Sequence, residues 1–590
     1  LAKRKQFILD QNFLNSVNDF CKENKISIYN FLMAIFAIYI GRVSDLDDFV
    51  IGTPVLNRSN FKEKHMTGMF ISTIPLRIKI ENSLKFIEFA KNLSDDLFSI
   101  YRHQKYSYEN ILQDVRKLDP SIPNLYDILI SYQNMRSSKQ ESKIDFSSHW
   151  AATDHIASGI NIHFFNIDNE NHLDVAYDYQ VSKYSEDDII NMHNRILYII
   201  KQVISKKQII LNNIEIITPE EKHLILDVFN NTLKNYPKDK DIFETIANTA
   251  LEFPNRIAVE TATDQITYED LINTVYKLCN YLISKNVTLN SNIGIVVNRN
   301  IETIVGILAI LKLGGTIVPI DSGYPVDRIN KIVKDADLRF ILYQNEELNI
   351  DTPVNYVNIA YSSYSKESTI FNYSFNNNIE RNLYIIFTSG STGTPKGATI
   401  SHKNMLNLIY FEKNCKAFPM SNSRILQFAT MSFDVSYQEI FSALLFGSTL
   451  VIVDEFIKKN SDMLLDYIIK KKINILFMPP AYLRILADTV FKLNKKLTDL
   501  KHIITAGEQL VITDSIEKLI ENKNITIHNH YGPAETHVVT TYTVTKDNIT
   551  IKPPIGKPIY NTKIYILDKN KHISPINIPG EIYIYGDCVG

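Results

Sequence analysis

The sequence is short of the patterns that mark several common protein classes. Its four cysteines, Cys21, Cys279, Cys415 and Cys588, lie far apart and form no CxxC pair. This spacing argues against a zinc site or a disulfide framework and favours a reducing cytoplasm. The 63 Lys and Arg residues nearly balance the 65 Asp and Glu residues, so the charge indicates neither a nucleic-acid surface nor a membrane surface. The longest apolar run, residues 31–40, is too short to cross a bilayer and is typical of a buried core helix.

What the chain does have is length, an ordinary globular composition and one clear internal boundary. At 590 residues it is long enough for more than one core. Near residue 217, Thr218 is a predicted helix cap, Pro219 stands at the first helical position and Glu221 completes a capping box. The helix is predicted to end near residue 229, and the polar residues 230–240 have linker chemistry.

Hydrophobic periodicity differs on the two sides of this boundary. Before it, residues 10–23 and 28–40 are predicted helices, and 49–55 and 74–78 are predicted strands. After it, strands and helices alternate. The predicted strands are 292–297, 315–320, 338–342, 383–387, 449–453 and 473–478, and a predicted helix covers 301–313. Such alternation predicts an α/β domain with largely parallel sheets.

The most informative segment is FTSGSTGTPKG at residues 387–397, which follows the predicted strand 383–387. Three glycines allow tight turns that aim backbone N–H groups inward, and the hydroxyls and Lys396 add donors and charge. Such a loop can wrap a polyphosphate, and it is not a P-loop of the GxxxxGK[ST] type. A flexible surface turn is the alternative, but it does not account for so ordered a run.

This run resembles the signature loop of the adenylate-forming superfamily, T-S-G-[ST]-T-G-x-P-K-G, at every position. The resemblance extends over about residues 241–590 and implies that family's α/β core. It is carried by further motifs in the family's order: ITYEDL at 266–271, LKLGG through VPID at 311–321, FDVS at 433–436, NHYGPAE at 529–535 and GEI to the final glycine at 580–590.

The resemblance implies an ATP site in which Lys396 and Glu535 are the catalytic residues. Tyr531 would stack on adenine, and Glu535 would bind Mg²⁺, which prefers carboxylates and phosphates. Ala534 departs from the usual Thr or Ser, which removes one hydroxyl contact. The full set of predicted nucleotide-binding residues is Thr388, Ser389, Gly390, Ser391, Thr392, Gly393, Lys396, Gly507, Glu508, Asn529, His530, Tyr531, Gly532, Pro533, Ala534 and Glu535.

The reaction implied is attack of a substrate carboxylate on the α-phosphorus of ATP, which gives an acyl-adenylate and pyrophosphate. Asp434 would pair with the substrate's α-amino group, because a buried carboxylate needs such a counter-charge; the alternative is an Asp that caps the next helix. The side-chain pocket implied by motif position consists of Val435, Gln438, Phe477, Ile504, Ala506, His530, Val538 and Val539. This set is uncharged unless His530 is protonated, and it resembles the pattern of proline-activating domains.

Residues 1–217 resemble the C-terminal half of a condensation domain, which implies half of a chloramphenicol-acetyltransferase-like fold. The matching segments are IGTPVLNR at 51–58, GMFIST at 68–73 with Arg77, HQKYSYE at 103–109 and YQN at 132–134. The catalytic HHxxxDG motif of that family is absent, and Asp154-His155 does not replace it. We expect that motif upstream of residue 1.

The predicted organisation is therefore a condensation half-domain at 1–217, a linker at 218–240 and an adenylation domain at 241–590 that is cut before its C-terminal lobe and catalytic lysine. The resemblance implies a cytoplasmic nonribosomal peptide synthetase fragment that uses ATP and Mg²⁺. Its expected partners are an amino acid and carrier-protein domains, whose phosphopantetheine would lie outside this chain. The alternatives are an acyl-CoA or aryl-acid ligase, which Asp434 and the condensation segment oppose, and a non-catalytic nucleotide-binding fragment.

Overall fold

The computed structural model divides the chain into two compact units. It describes residues 1–58, 60–135, 154–167, 172–344, 347–373, 378–389, 395–415, 421–523 and 525–590. The first unit comprises residues 1–228 and 565–583, and the second comprises 229–564 and 584–590.

The first unit is built on one sheet in the order β1-β6-β5-β4-β2-β3. Its strands are β1 (Ala2–Leu9), β2 (Asp48–Val55), β3 (Ser72–Lys79), β4 (Ile128–Met135), β5 (Ile160–Ile167) and β6 (Leu173–Gln180). Its helices are α1 (Gln11–Asn24), α2 (Ile28–Ser44), α3 (Phe61–Lys64), α4 (Phe86–Tyr101), α5 (Tyr108–Leu118), α6 (Glu186–Ser205) and α7 (Pro219–His223). The predicted helices and strands in this half of the chain are confirmed.

The apolar run of the sequence forms the centre of α2. Ser27 caps the helix by accepting from the Asn30 backbone N–H, and Asp45 ends it in the left-handed conformation. Every residue from Phe31 to Ile40 is buried in the core of the first unit, so this is the buried core helix that the sequence predicts. Among the described residues no single helix could span a bilayer, although the pair α1 and α2, bent by 101°, has the length and composition for it.

The helix predicted at the boundary begins as expected and then changes its type. Thr218 accepts from the Glu221 backbone N–H, Pro219 occupies the first turn, and α7 gives way to a π-helical turn over Leu224–Val228. The Glu221 carboxylate does not complete a capping box. It instead accepts from the Arg195 guanidinium at 3.0 and 2.6 Å and from the Ile576 backbone N–H at 2.6 Å. A buried cation is a stronger partner for a carboxylate than a helix-terminal N–H.

The second unit contains two largely parallel sheets. The first has the order β12-β11-β9-β10-β13-β14, and the second has the order β21-β20-β19-β18-β17-β15-β16-β7-β8. The strands of the first sheet are β9 (Asn292–Val296), β10 (Thr316–Ile320), β11 (Phe340–Tyr343), β12 (Asn355–Asn358), β13 (Asn382–Ser389) and β14 (Pro395–Ser401). Those of the second are β7 (Ile257–Glu260), β8 (Gln265–Thr267), β15 (Arg424–Gln427), β16 (Thr449–Ile452), β17 (Ile475–Phe477), β18 (His502–Thr505), β19 (Thr526–Tyr531), β20 (Thr540–Val544) and β21 (Lys557–Pro558).

Helices fill the connections between these strands, as the α/β pattern of the sequence predicts. They are α8 (Ile242–Glu252), α9 (Tyr268–Ser284), α10 (Ile301–Lys312), α11 (Val326–Asp335), α12 (Tyr361–Tyr364), α13 (His402–Asn414), α14 (Asp434–Leu444), α15 (Glu455–Lys459), α16 (Ser461–Lys470), α17 (Pro480–Lys492) and α18 (Asp514–Lys523). A last hairpin, β22 (Thr562–Leu567) and β23 (Glu581–Gly586), forms a separate two-stranded sheet. The strands predicted after the boundary, and the helix 301–313, are confirmed to within two residues at their ends.

The segment predicted as a linker is held along the second unit by hydrogen bonds. The Asn230 side-chain amide donates to the Ile564 carbonyl at 3.0 Å, and the Thr232 hydroxyl donates to the Thr562 carbonyl at 2.7 Å. Polar side chains of this segment therefore bind specific backbone carbonyl groups. Tyr236, in the same segment, is buried.

Candidate functional site

Parallel strands of the second unit place the predicted substrate residues at one sheet edge. β15, β17, β18 and β19 are consecutive neighbours in the sheet and run parallel. Residues at or just beyond their carboxyl ends therefore share an edge, which is where α/β sheets bind ligands. Of the predicted set, the residues at this edge are Phe477, Ile504, Ala506, His530 and Tyr531, and Asp434 begins α14, the helix that follows β15.

Asp434 is the first residue of α14 and is partly exposed. Its Oδ1 accepts from the Val435 backbone N–H at 2.8 Å, within the first turn. The helix cap is Phe433, which makes no side-chain cap hydrogen bond. The Asp434 carboxylate lies near the buried Tyr384 ring. Burial, together with this negative charge, raises the pKa of Tyr384 well above its ordinary value. Tyr384 stacks on Tyr437 with ring centroids 4.7 Å apart.

A tight turn after β19 fixes the position of this helix start. His537 adopts a left-handed backbone (φ 56°), and its Nδ1 accepts from the Val538 N–H at 2.9 Å. Its Nε2 therefore carries the hydrogen and donates to the Asp434 carbonyl at 3.1 Å. Gly532 passes so close to this turn that a Cβ there would lie 1.6 Å from the His537 carbonyl oxygen. The NHYGPAE motif thus needs its glycine for steric reasons.

The predicted apolar wall of the substrate pocket lies in one core cluster. Phe477, Ile504 and Val538 are buried members of it, and the partly buried Val435 packs against it. Val539 is fully buried beside Val538, and Ala506 is partly exposed after β18. Four hydrocarbon residues of the predicted set therefore belong to one hydrophobic core: Val435, Phe477, Ile504 and Val538.

Gln438 and His530 are the polar members of the predicted pocket, and Glu412 contacts Gln438. The Gln438 Nε2 donates to Glu412 Oε1 and lies 3.4 Å from His530 Nδ1. Burial, helped by His537, lowers the pKa of His530 to about 3, so this ring is neutral near pH 7. Burial raises the pKa of Glu412 to about 8 against the effect of its hydrogen bonds. None of the residues of the predicted side-chain pocket therefore carries a charge near pH 7.

The predicted phosphate loop joins the two strands of a hairpin. β13 and β14 are antiparallel, with Thr388 opposite Lys396. Gly390, Ser391, Thr392 and Gly393 lie outside the described residues, while Thr388 and Ser389 end β13. The Lys396 side chain is exposed on β14, which leaves its ammonium accessible to an anion.

The other predicted nucleotide residues surround the same sheet edge. Gly507 follows β18 with φ +92° and open space around its Cβ position, and both it and Glu508 are exposed. Asn529 is buried and donates to the Pro554 carbonyl at 2.9 Å, whereas Tyr531 is partly exposed at the end of β19. Gly532 and Pro533 are exposed, and Ala534 is partly exposed.

Glu535 is exposed, as a carboxylate that binds a solvent-accessible Mg²⁺ should be. Within the described parts of the chain, no group of three or more His, Cys, Asp and Glu side chains is placed to hold a metal ion. Mg²⁺ that is bound mainly through substrate phosphates needs only one or two protein carboxylates. Glu535 therefore fits the predicted role.

Three residues at the site were not predicted from the sequence: Tyr384, Glu412 and His537. Tyr384 and His537 carry no signal beyond their residue type. Glu412 does carry one, because a carboxylate stands one helical turn after the buried Leu408, on the apolar face of α13. A charge at a core position of a helix requires a polar partner.

In the first unit, three of the four condensation-like segments meet. The Lys105 ammonium donates to the Asn57 carbonyl at 2.9 Å. The Arg58 guanidinium donates to the Gly68 carbonyl at 2.8 Å and lies 4.2 Å from the centre of the Phe70 ring. The fourth segment, YQN, belongs to β4.

Comparison with known proteins matches one family model to each part of the chain. The condensation domain family model matches residues 1–226, and the AMP-binding enzyme family model matches residues 246–590. Gramicidin S synthase 2 of Brevibacillus brevis is 32% identical over 99% of this chain and 13% of its own length. Surfactin synthase subunit 1 of Bacillus subtilis (strain 168) is 32% identical over 97% of this chain and 16% of its own length. The chain thus spans a small part of these relatives.

Solved structures show the same fold. A four-domain nonribosomal peptide synthetase bound to AMP and glycine superposes with a TM-score of 0.84 at 21% identity, over 100% of this chain and 45% of that one. A nonribosomal peptide synthetase bound to α-methyl-L-serine-AMP gives a TM-score of 0.87 at 17% identity, over 100% and 67%. The chain belongs to the AMP-binding enzyme family and carries a condensation-domain segment before that domain, as nonribosomal peptide synthetases do.

Proposed function

We propose that this chain activates an amino acid with ATP to an aminoacyl-adenylate. The observation that carries the proposal is the position of Asp434 at the start of α14, where its carbonyl accepts from His537 in the turn after β19, the strand that ends at Tyr531. An ammonium group next to Asp434 and a hydrocarbon side chain against the wall would occupy the site together.

In this proposal a substrate carboxylate oxygen forms a bond to the α-phosphorus of ATP, and the bond to pyrophosphate breaks. The chain contributes mainly positioning and charge stabilisation. Asp434 orients the amine, Tyr531 and the turn after β18 hold the adenine, and the Lys396 ammonium neutralises phosphate charge. Mg²⁺ bound by Glu535 would supply further charge neutralisation.

The finer parts of the proposal rest on the pocket and on the resemblance. We propose proline as the amino acid, because Val435, Phe477 and Val538 favour a compact hydrocarbon ring. We also propose the division 1–217, 218–240 and 241–590, a carrier-protein thiol as acceptor of the activated residue, and a cytoplasmic location, which the four unpaired cysteines support.

The test of the reaction class is pyrophosphate exchange into ATP by the full-length protein that carries this chain. Exchange with amino acids and none with fatty or aryl acids supports the proposal. Exchange with amine-free acids alone would establish an acyl-CoA or aryl-acid ligase instead. ATP binding without any exchange would indicate that the chain is a non-catalytic nucleotide-binding module.

Replacement of Lys396 with alanine is expected to weaken ATP use without unfolding the protein. The side chain is exposed on β14, so its loss removes a phosphate contact and little packing. The measurement is the KM for ATP in pyrophosphate exchange together with the melting temperature. A variant that melts far below the wild type would assign Lys396 a structural role.

Replacement of Glu535 with glutamine is expected to raise the Mg²⁺ concentration that half-maximal exchange requires, because a neutral amide is a poorer ligand for a hard cation. Glu517→Gln, which changes an exposed carboxylate on α18 in the same unit, is the matched control. An unchanged Mg²⁺ dependence of Glu535→Gln would remove Glu535 from the metal site.

A further inference from the structure

Glu412 is a buried carboxyl group that the proposed reaction leaves without a task. It lies on α13 and is 2% exposed. Its two oxygens contact two residues one turn apart on α14: Oε1 accepts from the Gln438 amide, and Oε2 accepts from the Ser442 hydroxyl at 3.0 Å. The described structure shows no cation among these contacts, so Glu412 is held by neutral donors.

The contact with Glu412 decides which way the Gln438 amide faces. Its nitrogen has two hydrogens: one is donated to Glu412 Oε1, and the other can be donated to His530 Nδ1, 3.4 Å away, when the neutral ring carries its own hydrogen on Nε2. The reversed amide would set its oxygen against an ionised Glu412 oxygen, which is unfavourable. In the orientation found, Oε1 is the atom of Gln438 that is able to accept from a further group.

The contact with Gln438 is compatible with both charge states of Glu412. An ionised carboxylate accepts from both neighbours, and a protonated one keeps this arrangement when its hydrogen resides on Oε2 and is donated to the Ser442 hydroxyl. The raised pKa of about 8 makes the protonated form the main one near pH 7. A glutamine at position 412 would reproduce this form, with its carbonyl toward Gln438 and its amide toward Ser442.

We propose that Glu412 is a positioning residue for amino-acid selectivity, which holds the Gln438 amide in one orientation against the side-chain pocket. The inference rests on the proposed function. Without an acceptor at position 412, the Gln438 N–H group is left unsatisfied in a buried site, where this costs free energy. The amide then turns toward the pocket, and the space and polarity offered to the substrate side chain change.

The test uses the full-length protein that carries this chain and measures pyrophosphate exchange with proline and the other proteinogenic amino acids. Glu412→Met keeps the volume and removes the acceptor. It is expected to raise the KM for the preferred amino acid roughly tenfold, the effect of one buried hydrogen bond. We also expect it to reduce the preference of the enzyme for its best amino acid over the second-best one, and to leave the KM for ATP unchanged. Glu412→Gln should match the wild type in the KM for the amino acid, in this preference and in the KM for ATP.

Ser442→Ala is the matched control, because it removes the other contact of Glu412 and leaves the contact with Gln438. The KM of this variant for the preferred amino acid, and its preference among amino acids, should stay near those of the wild type. If Glu412→Met does not fold, Glu412→Asp replaces it, since a side chain one methylene shorter keeps the carboxyl but withdraws it from Gln438.

The possible results distinguish a failure of the proposed function from a failure of the role assigned to Glu412. A wild-type protein that exchanges no amino acid overturns the proposed function and this inference with it. An active wild type whose Glu412→Met or Glu412→Asp variant keeps the normal KM and preference overturns the inference alone. Equal losses of exchange activity in Glu412→Met and Glu412→Gln, with changes in the KM for the amino acid and in the KM for ATP, would also overturn the inference. Glu412 would then be a structural residue.

Discussion

Replacing Asp434 with alanine is expected to lower kcat/KM for the amino acid by roughly two to four orders of magnitude. The reason is that the substrate ammonium would be left without its counter-charge at a partly buried site. Removing one partner of a buried ion pair costs about 3–5 kcal/mol, and about 1.36 kcal/mol corresponds to a factor of ten in rate. The measurement is pyrophosphate exchange by the full-length protein.

Two comparisons separate the pairing role of Asp434 from its role at the helix start. Asp514→Ala is a matched control, because Asp514 is also the first residue of a helix in the same unit and is exposed; it should leave kcat/KM unchanged. For a substrate analogue that lacks the amine, much of the Asp434→Ala loss should vanish. An equal loss for the amine-free acid would contradict pairing, even if proline is the substrate.

Replacing Arg195 with methionine is expected to destabilise the first unit by about 3–5 kcal/mol, the cost of leaving a buried charge without its partner. The side chains of Arg195 and Glu221 are only 4% and 11% exposed, and the pair is joined by two hydrogen bonds. Methionine keeps much of the volume, so the lost ion pair dominates. The measurement is urea unfolding followed by a probe in the first unit, since a chain of two units need not unfold in one step.

The control for this prediction is Lys207→Ala. Lys207 pairs with Glu23 at 2.7 Å, but both side chains are more than half exposed, and such surface pairs contribute about 0–1 kcal/mol. A free energy of unfolding that falls as little in Arg195→Met as in Lys207→Ala would contradict the account of this buried pair.

Much of the fold was predictable because local patterns and tertiary structure agree. The helices and strands around residues 28–40, 292–297 and 449–453 are strongly periodic or continuously apolar, and they occur as predicted. Glu221 shows the limit of such reasoning. Its spacing from Thr218 predicts a capping box, yet its carboxylate binds Arg195, a residue that is distant in sequence. Local sequence signals cannot show a competing long-range partner.

The same limit applies to the candidate site. Motif positions predicted Asp434, Gln438 and His530, because each lies in or beside a recognisable motif. Glu412 lies in no motif, and its contact with Gln438 joins two helices whose packing is not encoded in either one alone. The neutral state of His530 likewise follows from burial and from His537, which the sequence does not reveal.

The central claim is that this chain activates an amino acid, and pyrophosphate exchange across all proteinogenic amino acids tests it most directly. The full-length protein that carries the chain should exchange best with proline, weakly with other small apolar amino acids, and not with charged ones. A preference for a charged or bulky aromatic amino acid would contradict the pocket assignment. Exchange with no amino acid, under conditions in which ATP binds, would contradict the claim itself.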